Sequence, residues 1–361
     1  MPVDTSAAAL TTIGTPWLWA ATVLVLLGLL AVDFAITRRP HAVSMREAVG
    51  WTVFYLALPV AFGFFVWWRF GGTPAVEFFT GYVVEKSLSV DNLFVFMLLL
   101  AAFAVPAQLA QRVLLYGIVG ALVLRAVFIA AGAAVLQTGT WAFVLFGAVL
   151  LATAVKVMRD ALRGGAHEID IDKMRSVRML RRFMPVTDEY NGSKLTVRRA
   201  GVRTLTPMAL VVAAVFMTDV VFAVDSVPAV YGVTEDPYLV FATNAFALLG
   251  LRALYFVLHN ALSSLRYLNH GLALILAFIG VKLVLHWAHG VWPVLPEVPT
   301  LLSLAVIIGV LVTVTLASIA ANRRDARALA AAAAAEDEDR DRDRDELGGT
   351  RSPAEITAPR R

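Results

Sequence analysis

Four acidic residues stand inside long apolar stretches, and they come in two matched pairs. One stretch reads Glu85-Lys-Ser-Leu-Ser-Val-Asp91-Asn92-Leu-Phe, the other Asp219-Val-Val-Phe-Ala-Val-Asp225-Ser226-Val-Pro228. In each, a second acid follows six positions on, after a valine and before a small polar residue. Carboxylate, amide and hydroxyl oxygens are hard donors. They suit Mn²⁺, Ca²⁺ or Mg²⁺ better than zinc or copper. The chain has no cysteine, so disulfides, thiolate metal sites and cysteine nucleophiles are excluded. Its histidines (His41, His167, His259, His270, His286 and His289) fall in loops or at the ends of apolar runs and read as interfacial.

The elements that hold these acids must lie in lipid. Apolar residues make up 59% of the 361 residues and charged ones only 16%, too few to cover a water-soluble surface. Runs of about 20 apolar residues, the length that crosses a bilayer, predict nine spans. They lie near 16–36, 48–68, 77–103, 111–133, 140–158, 205–231, 239–258, 270–287 and 300–320. An acid at the centre of such a helix costs about 2.5–3.5 kcal/mol, so the four must face the interior of a bundle. Asp33, near the end of the first span, reads as interfacial.

Alternate connections between the spans carry nineteen basic residues on one side and one, Arg69, on the other. The positive-inside rule then places the N-terminus outside and the C-terminus in the cytoplasm. The first span lacks a basic leader and is not a signal peptide. Residues 159–204 form a basic cytoplasmic loop in which Met174 to Phe183 reads as a helix lying on the anionic leaflet. Lys194 to Leu205 reads as a hairpin turning near Gly201. Residues 325–361, with the run Glu336 to Glu346, have the composition of a disordered tail.

The acid pairs belong to a longer internal match. Leu124-Arg125-Ala126 answers Leu251-Arg252-Ala253, and Val155-Lys156 answers Val281-Lys282. Arginine to lysine is 31 residues in one set and 30 in the other; aspartate to arginine is 34 and 27. Each set spans three helices. Three is odd, so the second copy enters the membrane from the opposite side, the arrangement that puts a substrate site near the midplane. The organisation read from this is 1–76 (two helices), 77–158 (first repeat), 159–204 (basic loop), 205–287 (inverted second repeat), 288–324 (last helix) and 325–361 (tail).

Six residues on a helix turn through roughly 240°, so paired acids do not share a face. Either they serve different partners or the helix is unwound between them. Pro228 favours unwinding, because it lacks an amide hydrogen and clashes with the carbonyl of Val224. Arg125, Arg252, Lys156 and Lys282, with help from Lys86, are the cations available to balance the acids. A purely structural salt-bridge network among them is the alternative to an ion site.

The stretches Glu85 to Phe96 and Phe222 to Ala229 resemble the two signature helices of the TerC family of integral membrane proteins. Arg182 to Tyr190 resembles its inter-repeat connection. Asn244 with Phe246 to Phe256, and then Gly271 to Lys282, resemble the helices that follow. The resemblance covers about residues 15–320. It implies a multi-pass protein of the plasma membrane that exports a metal ion, with Mn²⁺ as transported substrate rather than resident cofactor. The implied ligands are Glu85, Asp91, Asn92, Asp219, Asp225 and Ser226, supported by Lys86, Arg125, Asn244, Arg252, Lys156 and Lys282. The family is named for tellurite resistance, yet an acid-lined path suits an oxyanion poorly. Proton coupling is a further expectation.

The expected partners are lipid, a divalent cation and soluble proteins at the 159–204 loop, with no nucleic acid. A non-transporting scaffold in a stress-response or protein-insertion complex is the competing reading. No enzyme activity is expected. A Gly-x-Gly-Asp protease motif and a phosphate-binding Gly-x-x-x-x-Gly-Lys loop are both missing.

Overall fold

The computed structural model describes residues 12–37, 45–163, 177–179, 182, 185–187, 189–199, 202–251, 254–255 and 267–348. They form the helices α1 (Pro16–Thr37), α2 (Met45–Phe70), α3 (Gly72–Ala102), α4 (Ala107–Gln137) and α5 (Trp141–Arg163). A hairpin of β1 (Thr196–Arg199) and β2 (Val202–Leu205) follows. After it come α6 (Pro207–Tyr231), α7 (Pro237–Leu249), α8 (Leu268–Val291) and α9 (Thr300–Gly348).

Among the described residues, seven helices are long and apolar enough to cross a membrane: α1, α2, α4, α5, α6, α8 and the first part of α9. α3 is long but charged. α7 is apolar but has only 13 residues. The chain is therefore a mostly helical, multi-pass membrane protein. Large apolar side chains on α1, α2 and α9, among them Leu24, Phe64, Trp68 and Leu301, are exposed and need lipid to cover them.

The six helices α3 to α8 form the core. α3 packs on α7 and α4 on α6, and α5 lies along α8 in the most extensive contact of the fold. α3 also meets α6, and α4 meets α7. The α5–α8 contact is a close backbone approach. A Cβ on Gly147 would lie 2.9 Å from the carbonyl oxygen of Gly280, and one on Gly280 would lie 3.1 Å from that of Gly147. Small residues let helices come this near in lipid, where packing replaces the hydrophobic effect as the driving force.

α6 runs unbroken through Pro228, contrary to the unwinding expected there. Pro228 leaves the Val224 carbonyl without its helical amide donor, yet the backbone stays helical as far as Tyr231. The interruption falls instead in the seventh predicted span, where α7 stops at Leu249 and Gly250 forms a turn. The ammonium of Lys86 donates to the Ala247 carbonyl (3.3 Å), one of the groups a helix C-terminus leaves open. A Cβ on Gly250 would sit 3.1 Å from that nitrogen, so glycine leaves the lysine its place. At its other end α7 is capped by Asp236, which accepts from Tyr238 N–H (2.8 Å) ahead of Pro237 at the first helical position.

The hairpin appears as expected, with Arg198 opposite Arg203, and it leads straight into α6. Thr206 closes its base by donating to the Lys194 carbonyl (2.6 Å). Tyr190 ties the preceding loop to the end of α3 by donating to the Phe103 carbonyl (2.8 Å). Burial pushes this phenol up to about 12, so it keeps its proton at any physiological pH.

Two expectations are corrected. Asp33 is buried and accepts from the Tyr55 hydroxyl (2.8 Å) instead of lying at the interface. Helix α9 continues to Gly348, through most of the segment expected to lack structure. Alanine is the best helix former, and the sequence after the alanine run places acids three and four residues before arginines. Residues 349–361, and most of the stretch Met174 to Phe183, lie outside the described residues.

Gly147→Ala is expected to lower the melting temperature of the purified protein. Alanine gains about 0.5–1 kcal/mol in helix preference, whereas overpacking costs about 1–3 kcal/mol. Gly28→Ala, with nothing within 4 Å of the added carbon, is expected to leave stability unchanged or slightly raised. Thermal unfolding of both variants in detergent checks this.

Candidate functional site

Among the described residues Arg125 is the largest fully buried side chain. It stands in the middle of α4 among three apolar clusters, at the place where α3, α4, α6 and α7 meet. A guanidinium cannot lose its proton there, so its charge must be met by protein. Glu85 of α3 accepts a hydrogen bond from its Nη1. Asn244 of α7 accepts from the same nitrogen at 2.7 Å, and Asp219 of α6 lies 3.5 Å from Nη2. Asn244 is aimed by its own amide nitrogen, which donates one turn back to the Val240 carbonyl (2.9 Å). One cation thus ties the first acid of each signature stretch to a polar residue of α7.

The second half of each stretch does something else. Positions seven apart on a helix do share a face, so Glu85 lies in line with Asn92, and Asp219 with Ser226. Ser89 fills the intermediate position on α3. It was not singled out from the sequence, although the spacing 85, 89, 92 was the available signal. Among the described residues Ser89 Oγ, Asn92 Nδ2 and Ser226 Oγ are buried without a hydrogen-bond partner. Glu85 Oε2 and Asp219 Oδ2 are in the same condition, because each acid commits only one oxygen to Arg125. An unpaired buried polar atom costs roughly 1–3 kcal/mol. A row of them along two facing helices marks a place that something polar fills.

Asn92, Asp225 and Ser226 line a cavity of about 370 Å³. Its walls are Leu88 and Val95 of α3, Val220, Val221, Phe222 and Val224 of α6, Leu272 and Leu276 of α8, and Thr153, Lys156 and Asp160 of α5. Lys156 and Asp160 are exposed near the C-terminal end of α5. The cavity therefore reaches from that end to Asn92, Asp225 and Ser226. Thr153 and Asp160 also line it, and no pattern in the sequence had pointed to them. Asp225 also lies within electrostatic reach of Arg125.

The candidate set is thus divided. Glu85, Asp219, Asn244 and Arg125 form a buried network, and Asn92, Asp225, Ser226 and Lys156 line the cavity. Lys86, expected to balance the acids, caps α7 instead, because adjacent helix positions point about 100° apart. Lys282 lines a separate cavity with Glu77 and His286. The side chain of Asp91 and all of Arg252 lie outside the described residues. Among the described residues no three His, Cys, Asp or Glu side chains converge as a ready metal site.

Arg125→Met is expected to destabilise the protein by about 3–5 kcal/mol, since it strands buried carboxylates without a counter-charge. Adding Glu85→Gln and Asp219→Asn to it should recover most of that loss. Unfolding of the single and triple variants, compared in one detergent, checks the network.

Residues 70–326 match the model of the integral membrane protein TerC family. The chain is 39% identical over 326 residues to an Escherichia coli (strain K12) protein provisionally named membrane-bound redox modulator Alx, covering 87% of this chain and 97% of that one. It is 37% identical over 313 residues to an uncharacterized membrane protein of Myxococcus xanthus (86% and 94%). It is 41% identical over 322 residues to one of Mycobacterium tuberculosis (86% and 80%). No solved structure matches. With most of its length matched by the family model and by relatives of this identity, the chain belongs to the TerC family of integral membrane proteins.

Proposed function

We propose that the protein exports a divalent cation, Mn²⁺ by the character of its donors, through the cavity that ends at Asn92, Asp225 and Ser226. The observation that carries this reading is that Asn92 and Ser226, buried polar side chains each with an atom lacking a hydrogen-bond partner among the described residues, line that cavity together with Asp225. The oxygens these side chains can turn to an ion are the Asp225 carboxylate, the Asn92 amide oxygen and the Ser226 hydroxyl, a hard set that holds a cation with retained water and lets it leave again. The Arg125 network is the plug beyond it. Glu85 and Asp219 set two carboxylates against one guanidinium. One added proton would neutralise the cluster, which gives proton-coupled exchange a physical basis.

The packing supports two inverted repeats. Exchanging α3 with α6, α4 with α7 and α5 with α8 turns the α3–α7 contact into the α6–α4 contact and leaves the α5–α8, α3–α6 and α4–α7 contacts in place. The matched lysines support it too, since Lys156 and Lys282 line different cavities. On this reading α3 and α7 also cross the membrane, making nine spans. The basic hairpin marks the cytoplasmic side, and the cavity is the inward-open entrance. The relative's name points to redox modulation. A chain without cysteine has no thiol chemistry of its own, so a redox effect here would follow from the ion moved. Resistance to tellurite would be equally indirect.

The test is Mn²⁺ accumulation in inside-out vesicles. Wild type is expected to accumulate the ion, and Asp225→Asn to reduce uptake by about tenfold or more through loss of a charged ligand, with the protein still folded in the membrane. Absence of uptake in wild type, for Mn²⁺ and for Ca²⁺, would favour the scaffold reading.

A further inference from the structure

A second cavity, of about 730 Å³, lies away from the polar row. Its charged lining is Glu77, Glu235, Asp236, Lys282, His286 and Glu297. His286 stands in the last turns of α8, and both of its ring nitrogens face carboxylates. Nε2 is 3.3 Å from Glu235 Oε1 and Nδ1 is 2.9 Å from Glu297 Oε1. Glu235 belongs to the connection between α6 and α7, and Glu297 to the one between α8 and α9. Phe143 of α5 packs edge-on against the imidazole, with ring centroids 4.7 Å apart.

This geometry discriminates between two uses of the same groups. A metal ion binds one imidazole nitrogen along its lone pair. Here the two carboxylates sit at different nitrogens, on separate edges of the ring, so one ion cannot take both together with the histidine. A proton fits where a metal does not. Neutral imidazole has one N–H and one lone pair, and would present the lone pair to a carboxylate at hydrogen-bond distance. Imidazolium donates from both nitrogens and satisfies both acids.

We infer that Glu235, His286 and Glu297 form a proton-operated latch over this vestibule. With the imidazolium present, the two connections are stapled to α8 and to each other. When the proton leaves, one contact becomes repulsive and the connections part. The other charged groups have their own partners. Glu77 accepts from Thr234 (2.7 Å) and interacts with Lys282. Asp236 accepts from Thr12 (2.6 Å), from Ile13 N–H (2.8 Å) and from Tyr238 N–H. The latch goes beyond the transport reading and does not depend on which ion, if any, the protein carries.

The cysteine-free chain allows a direct test. Spin labels at Gly72→Cys and Val294→Cys, both exposed positions, report the distance between the α8–α9 connection and the start of α3, which Glu77 ties to the α6–α7 connection through Thr234. Wild type in nanodiscs is expected to give one narrow distribution near about pH 6 and to lose it near about pH 8.5, across the range where an imidazole titrates. His286→Gln should lack the narrow distribution at both pH values, and His286→Arg, permanently charged, should keep it at both. A distribution that does not change with pH in wild type would overturn the latch, as would a pH response that survives in His286→Gln. Since no transport is measured, failure here leaves the vesicle result to stand or fall separately.

Discussion

Lipid tails are as apolar as leucine, so the core helices gain nothing from hydrophobicity in choosing one another. What chooses for them is a charge that has to be met. Arg125 is sealed in the interior and cannot discharge. Its partners are drawn from α3, α6 and α7, and if any of them moves away a charge is left bare in a low-dielectric medium. The short α7 is buried along nearly its whole length, and polar contacts fix its position as well. It is fixed at its N-terminus by Asp236, at its middle by Asn244 on Arg125, and at its C-terminus by Lys86. Adjacent residues of α3 thus hold it in two ways, Glu85 through the arginine and Lys86 through the backbone of α7.

The same arrangement separates two kinds of polar residue on the signature helices. Those nearer Arg125 are consumed by structure. Those seven positions on are buried yet unpartnered, and they lie where a cavity ends. A binding site for a transported ion needs this division. A rigid charged lock blocks leakage past the site, and donors left incomplete accept an ion that must also be released. The competing idea of a purely structural salt-bridge network is right for Glu85 and Asp219 as far as their contact with Arg125 goes. It offers no explanation for Asn92 and Ser226.

Much of this was legible in the sequence. Hydropathy gave the helices, the acids in apolar runs gave the polar interior, and the paired stretches gave the two signature helices. The hairpin at Lys194 to Leu205 followed from its local pattern. What was missed depends on direction and on neighbours. Lys86 sits beside Glu85 in sequence, yet serves a helix break that a proline elsewhere seemed to announce. Pro228 looked disruptive, but α6 keeps its helical course through it. Asp33 looked interfacial because its tyrosine partner is on another helix. The division of the acids was open in principle, since positions seven apart align and positions six apart do not. Which face turned toward the arginine was a matter of packing.

The most direct test is to locate the ion. Anomalous scattering at the manganese edge, from crystals grown with Mn²⁺, would show where the metal rests. The account predicts a peak in the cavity beside Asn92, Asp225 and Ser226, with Arg125 still bonded to Glu85. A peak between Glu85 and Asp219 with Arg125 displaced would contradict it, because the buried network would then be the binding site and not the lock behind it.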